Sequence, residues 1–123
     1  MSRIITRALP LAVVAVIAMG VSDALAHVTL LSSSPASNAT VGRAPSSVSL
    51  TFSGPIRSGT LSVTGPGGTK VSVGAGGRDP RNIDRLLVAL KSGLKPGRYT
   101  AHGSTIAADT HHQTWTLSFT LKK

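Results

Sequence analysis

The sequence predicts an all-β domain, an Ig-like Greek-key β-sandwich or barrel of about seven short strands, preceded by a cleaved signal peptide. Three observations carry the prediction. Apolar and polar residues alternate along most of the chain after residue 26. Clusters of Gly, Pro, Ser and Asn interrupt the alternating runs at short intervals. No segment in that part of the chain repeats apolar residues at helical spacing, so strands joined by turns are the consistent reading.

The elements follow in order. Residues 27–31 supply a leading strand. Val48, Leu50 and Phe52 alternate with Ser49, Thr51 and Ser53, the pattern of a strand with one buried face. Residues 60–64 and 69–73 flank Gly65-Pro66-Gly67-Gly68 and read as a hairpin. Residues 74–82 hold three glycines and Pro80 with little apolar content, which predicts a mobile surface loop and matches no glycine-rich nucleotide motif. Residues 85–90 and 98–106 are strands separated by the turn Lys95-Pro96-Gly97. The last strand places Trp115, Leu117, Phe119 and Leu121 on one face and Thr116, Ser118 and Thr120 on the other.

Residues 1–26 read as an export signal removed from the mature protein. Arg3 and Arg7 precede an apolar run that ends in the small-residue site Ala24-Leu25-Ala26. The apolar core is a few residues short of the roughly 20 a membrane span needs, and no stop-transfer cluster follows it. An uncleaved signal-anchor is the alternative. Cleavage leaves one domain, residues 27–123, in a periplasmic or secreted location and expected to be monomeric.

Chemistry is bounded by composition. The chain has no cysteine, which removes disulfides, thiolate metal sites and thiol nucleophiles. Its two methionines, Met1 and Met19, both fall in the signal, so no thioether ligand for Cu(I) remains. Residues 27–123 carry eleven Lys and Arg against Asp79, Asp84 and Asp109, with no glutamate. These basic residues are scattered singly and few aromatic faces accompany them, so a solvated basic surface suited to anionic headgroups is favoured over nucleic-acid binding.

Among the four histidines, His27 directly follows the cleavage site and His111 lies two residues after Asp109. A histidine at a free N-terminus offers its α-amine and ring Nδ1 together, a chelate that an internal histidine cannot form. Residues i and i+2 of an extended segment project to one side, so Asp109 and His111 could face a single ion. Two imidazoles, an amine and a carboxylate make a nitrogen and oxygen set that selects Cu(II) in a tetragonal plane. Each part has a plainer explanation: a histidine after a signal is common by chance, and an Asp-x-His pair is more often a surface hydrogen bond. His102 and His112 read as surface residues, with His112 directed away from His111.

The chain resembles the CopC family of periplasmic copper-binding proteins. The resemblance runs through 27–36, Ala44-Pro45, the strand at 48–53, the segment 94–100, then Ala107-Ala108-Asp109-Thr110-His111, similar to the family's S-x-D-x-H signature, and the terminal strand around Phe119. It implies an Ig-like sandwich holding one Cu(II) per chain through His27, Asp109 and His111. It also implies a copper carrier or buffer that hands its ion to an inner-membrane transporter of the CopD type. Three departures stand out. The Met- and His-rich Cu(I) segment of some members is absent, Gly54 replaces an acidic residue that supports the ligands, and Gly103 replaces a tryptophan before the signature. Losing such an outer support costs roughly tenfold or more in affinity. Two other functions compete: a copper-dependent oxidative enzyme using the N-terminal histidine, and a secreted structural sandwich with a degenerate metal site. Cysteine-free construction and a carboxylate ligand, which would occupy a position oxygen needs, argue against the enzyme.

Overall fold

The computed structural model describes residues 27–123; the export signal read at 1–26 lies outside the described residues. Eight strands form in chain order: β1 (Leu30–Ser34), β2 (Thr40–Val41), β3 (Ser47–Phe52), β4 (Ile56–Thr64), β5 (Ser72–Asp79), β6 (Asn82–Leu90), β7 (Gly97–Ala107) and β8 (His112–Leu121). They pair into two four-stranded sheets, β1-β3-β6-β5 and β2-β8-β7-β4. The expected all-β sandwich is therefore present, with the two-residue β2 as the additional strand. It pairs in parallel with the end of β8, and a segment so short leaves no alternation to read.

Period-two alternation puts one face of each sheet inside. Val48, Leu50 and Phe52 of β3 meet Leu61 and Val63 of β4, Leu86 and Val88 of β6, and Leu117 and Phe119 of β8 in one continuous core. Tyr99 stacks on Phe119 with ring centroids 5.4 Å apart, and its hydroxyl donates to the Lys95 carbonyl, which satisfies the one polar atom the ring carries inward.

Two expectations need correction. The glycine-rich segment after residue 73 is not a free loop but most of β5, which pairs with β6 through a shifted register between Val73 and Gly77. Gly74 and Gly76 take positive φ of 73° and 64° at that shift. A Cβ at Gly76 would lie 2.9 Å from two backbone oxygens, so glycine is required by the bulge that its strand makes. The expected hairpin across Gly65-Pro66-Gly67-Gly68 begins as one, with Gly65 N–H bonded to Thr69 O and an isolated bridge between Thr64 and Lys70. Beyond it the two strands part. β4 runs along β7 in one sheet and β5 along β6 in the other, so the connection crosses between sheets. Local turn chemistry was legible, but the burial of both strands against opposite layers decides the pairing.

Candidate metal centre

The site forms where the start of the domain meets the turn between β7 and β8. Val28, buried in the core, anchors the entering chain. Thr29 N–H donates to Ser53 Oγ at 2.9 Å and Ser53 N–H to Thr29 O at 2.8 Å, tying the segment to the end of β3. From the other sheet, Gln113 Nε2 donates to Val28 O at 3.3 Å. His27 is thus held between the two sheets, exposed, beside the β7–β8 connection.

That connection is a tight turn rather than the extended run expected from sequence. Thr110 N–H bonds to Ala107 O at 3.0 Å, and Thr110 sits in the left-handed region with φ of 69°. The turn folds Asp109 back on His111: its Oδ1 accepts from the His111 backbone N–H at 3.1 Å, and its Oδ2 bonds His111 Nδ1. Asp109 and His111 do share a side, but a reversal of the chain puts them there and not the strand pleat.

The three expected residues come together. His27, Asp109 and His111 each offer one donor atom, all within 4.8 Å of one another. The His27 and His111 rings stack with centroids 5.0 Å apart and planes inclined by 28°. Donors bound at about 2.0–2.1 Å from one ion are at most about 4 Å apart, so adjustments of exposed side chains would close the cluster on an ion. Desolvation pushes the Asp109 carboxyl up, but hydrogen bonds from the His111 backbone and ring, with the charges of His111 and His27, hold it below its ordinary value. The group is therefore a carboxylate, a ready anionic donor, at neutral pH. His102 and His112 stand outside the cluster. His112 Nε2 bonds Ser104 Oγ.

Gly103 and Trp115 are directly paired residues of β7 and β8, so their side-chain positions share the core-facing side. Trp115 packs on Phe52 at a centroid distance of 5.1 Å and donates its Nε1–H to Thr105 Oγ1 at 3.0 Å. On this side of the β7–β8 pair Trp115 therefore supplies the large ring, while Gly103 opposite it packs directly against Leu50, Leu61 and Leu86.

Sequence reasoning missed Gln113. Its signal was a polar residue at the inward position that continues the series Trp115, Leu117, Phe119. A side chain at Gly54 would begin 3.8 Å from Val28 Cγ1, next to the same entering segment that Gln113 holds. Gln113 Oε1 is buried without a hydrogen-bond partner.

Fold and site together define a small two-sheet β-sandwich with a His/Asp cluster joining the first described residue to the β7–β8 turn. The family model described as the CopC domain matches residues 30–122, and the chain belongs to the CopC family. The chain is 31% identical over 99 residues to Protein YobA of Escherichia coli K12, covering 79% of this chain and 80% of that protein. Among solved structures it resembles PcoC, a methionine-rich copper resistance protein from Escherichia coli, with TM-score 0.65 and 26% identity over 79% of this chain and all of PcoC. CopC from Methylosinus trichosporium OB3b superposes with TM-score 0.65 at 22% identity, covering 78% of this chain and 94% of that one, a likeness of fold.

Proposed function

We propose that the processed protein binds one Cu(II) through the His27 α-amine and ring, the Asp109 carboxylate and the His111 ring, and carries or buffers copper in the periplasm without turnover. The observation that supports this most is the convergence of His27 with Asp109 and His111 across more than eighty residues of sequence. Membership of the CopC family and likeness to a copper resistance protein make copper the fitting ion. The donor set is nitrogen and oxygen only, which suits Cu(II). PcoC is methionine-rich by description, whereas no methionine occurs after residue 19 of this chain, so a Cu(I) site has no thioether ligands here.

The mechanism is capture and release by proton exchange. In the full-length chain the His27 nitrogen belongs to a peptide bond with Ala26; cleavage there converts it to an amine able to donate its lone pair. The hydrogen bond between Asp109 and His111 gives way to coordination, and bound nitrogens must shed protons first, so acid weakens binding. A membrane transporter of the CopD type is the proposed receiver.

The test is titration of protein beginning at His27 with Cu(II), against the same protein carrying one extra residue in front. One tight equivalent with a tetragonal EPR spectrum is expected for the first. The extension should weaken binding beyond the roughly 10–100-fold that losing an outer-shell partner costs. Equal affinity for both would remove the amine from the ligand set. Sustained consumption of reductant and oxygen by the loaded protein with polysaccharide would point to an oxidative enzyme instead.

A further inference from the structure

The net positive charge of this domain is concentrated at one end. Strand register defines the two ends: the His27 and Asp109 end, where Ile56 faces Ala107 and Thr51 faces Arg85, and the far end, where Gly97 faces Leu121 and Ser72 faces Leu90. All three aspartates lie toward the first end, with four arginines: Arg57, Arg78, Arg81 and Arg85. Asp79 is paired there with Arg85 at 3.6 Å and Arg81 at 4.0 Å. The far end holds the remaining seven cations, all exposed: Arg43 after β2, Lys70 before β5, Lys91 and Lys95 between β6 and β7, Arg98, and the Lys122–Lys123 pair after β8. Among the described residues it has no aspartate or glutamate side chain.

Between the β4–β5 and β6–β7 connections of that end lies a cleft of about 270 Å³. Lys70, Lys91 and Lys95 line it together with the less polar Val71, Leu94 and Tyr99. Lysines are flexible point charges suited to a diffuse anionic surface, where rigid bidentate recognition would call for arginine. A cationic rim around partly apolar walls matches an amphiphile whose phosphate meets the lysines and whose glycerol and upper chain meet the walls.

We propose that the far end docks on an anionic phospholipid bilayer, with the His/Asp cluster turned to the aqueous side. β7 runs most of the way between the ends, and its eleven residues span roughly 33 Å at strand rise. That is more than three Debye lengths at physiological salt, about 8 Å each, so docking leaves the cluster's electrostatics unchanged. The inference stands on charge and register alone and does not depend on which ion the cluster takes.

The experiment is cosedimentation of protein beginning at His27 with phosphatidylcholine vesicles, with and without phosphatidylglycerol, at low and physiological salt. Binding is expected only with phosphatidylglycerol and should weaken with salt. Replacing the three cleft lysines together (Lys70→Gln, Lys91→Gln, Lys95→Gln) should lower partitioning about a hundredfold, near fivefold for each charge removed. Arg57→Gln with Arg81→Gln at the opposite end should leave it unchanged. Because all five side chains are exposed, melting curves should confirm folded variants. Equal partitioning onto both vesicle types, or equal loss from both sets of variants, would overturn the proposal. So would lysine-dependent binding of soluble polyglutamate without vesicle binding, which would indicate an acidic protein partner.

Discussion

Replacing Trp115 by glycine removes an indole that touches Phe52 and caps the buried Thr105 hydroxyl. Large aromatic deletions in cores cost about 3–5 kcal/mol. Trp115 is half-buried, which places the packing loss near the lower figure, and the orphaned Thr105 Oγ1 adds about 1 kcal/mol. For a domain of this size each kcal/mol lowers the melting temperature by about 4–8 °C, so a loss of about 4 kcal/mol means Trp115→Gly should melt at least about 16 °C lower. The cross-strand pairing makes the decisive prediction. Because residues 103 and 115 face each other on one side of the sheet, the double variant Gly103→Trp, Trp115→Gly places an indole in the same layer from the opposite strand. It should recover part of the loss, the remainder reflecting Leu50, Leu61 and Leu86, whose methyls would lie 3.3, 3.6 and 3.6 Å from a Cβ at 103 and must give way to the ring. Thermal and urea unfolding of the four members of this cycle measure the coupling directly. If the double variant is no more stable than Trp115→Gly alone, the two positions do not serve one packing site and the reasoning is refuted.

Asp109→Asn keeps an oxygen for the His111 backbone N–H but loses the anionic donor. Copper affinity should fall more than the roughly 10–100-fold typical of outer-shell losses, read by competition titration. In the metal-free protein the lowered Asp109 carboxyl contributes stability that is present above its unfolded pKa and disappears as pH falls through its folded one. Melting temperatures of wild type and Asp109→Asn should therefore converge in acid. Gly54→Glu places a carboxylate beside the entering segment, where a Cβ meets only Val28 Cγ1 at 3.8 Å, and should raise copper affinity by up to about tenfold. Gln113→Leu removes the bond to Val28 O together with a buried unpartnered oxygen. Losing the bond costs about 1 kcal/mol and removing the orphan returns a similar amount, so global stability should hold while copper affinity falls; a fall in melting temperature with affinity intact would make Gln113 a purely structural residue.

Strands whose inner faces alternate cleanly, β3 and β8 above all, were legible because a half-buried sheet imposes a period of two. What alternation could not carry was partnership. Residues 60–64 and 69–73 meet at a real turn, yet which layer each strand joins depends on residues far away along β6 and β7. β5 was hidden because its bulge needs glycines, the residues that otherwise signal loops. In the candidate site, the grouping of His27, Asp109 and His111 was suggested by position and spacing, whereas the reversal at Thr110 was not, since a left-handed threonine is an uncommon choice for any turn. The pairing of Trp115 with Gly103 was invisible until register made the two residues neighbours.

His27 and the Asp109-to-His111 turn lie near opposite ends of the described chain, and no disulfide joins any part of it. An ion gripped by both would act as a clasp, closing almost the entire domain into a ring. A covalent link over a loop of similar span removes about 4–5 kcal/mol of denatured-state freedom. Metal loading should therefore toughen the protein against heat and proteolysis, and the metal-free protein should be the more readily digested of the two forms.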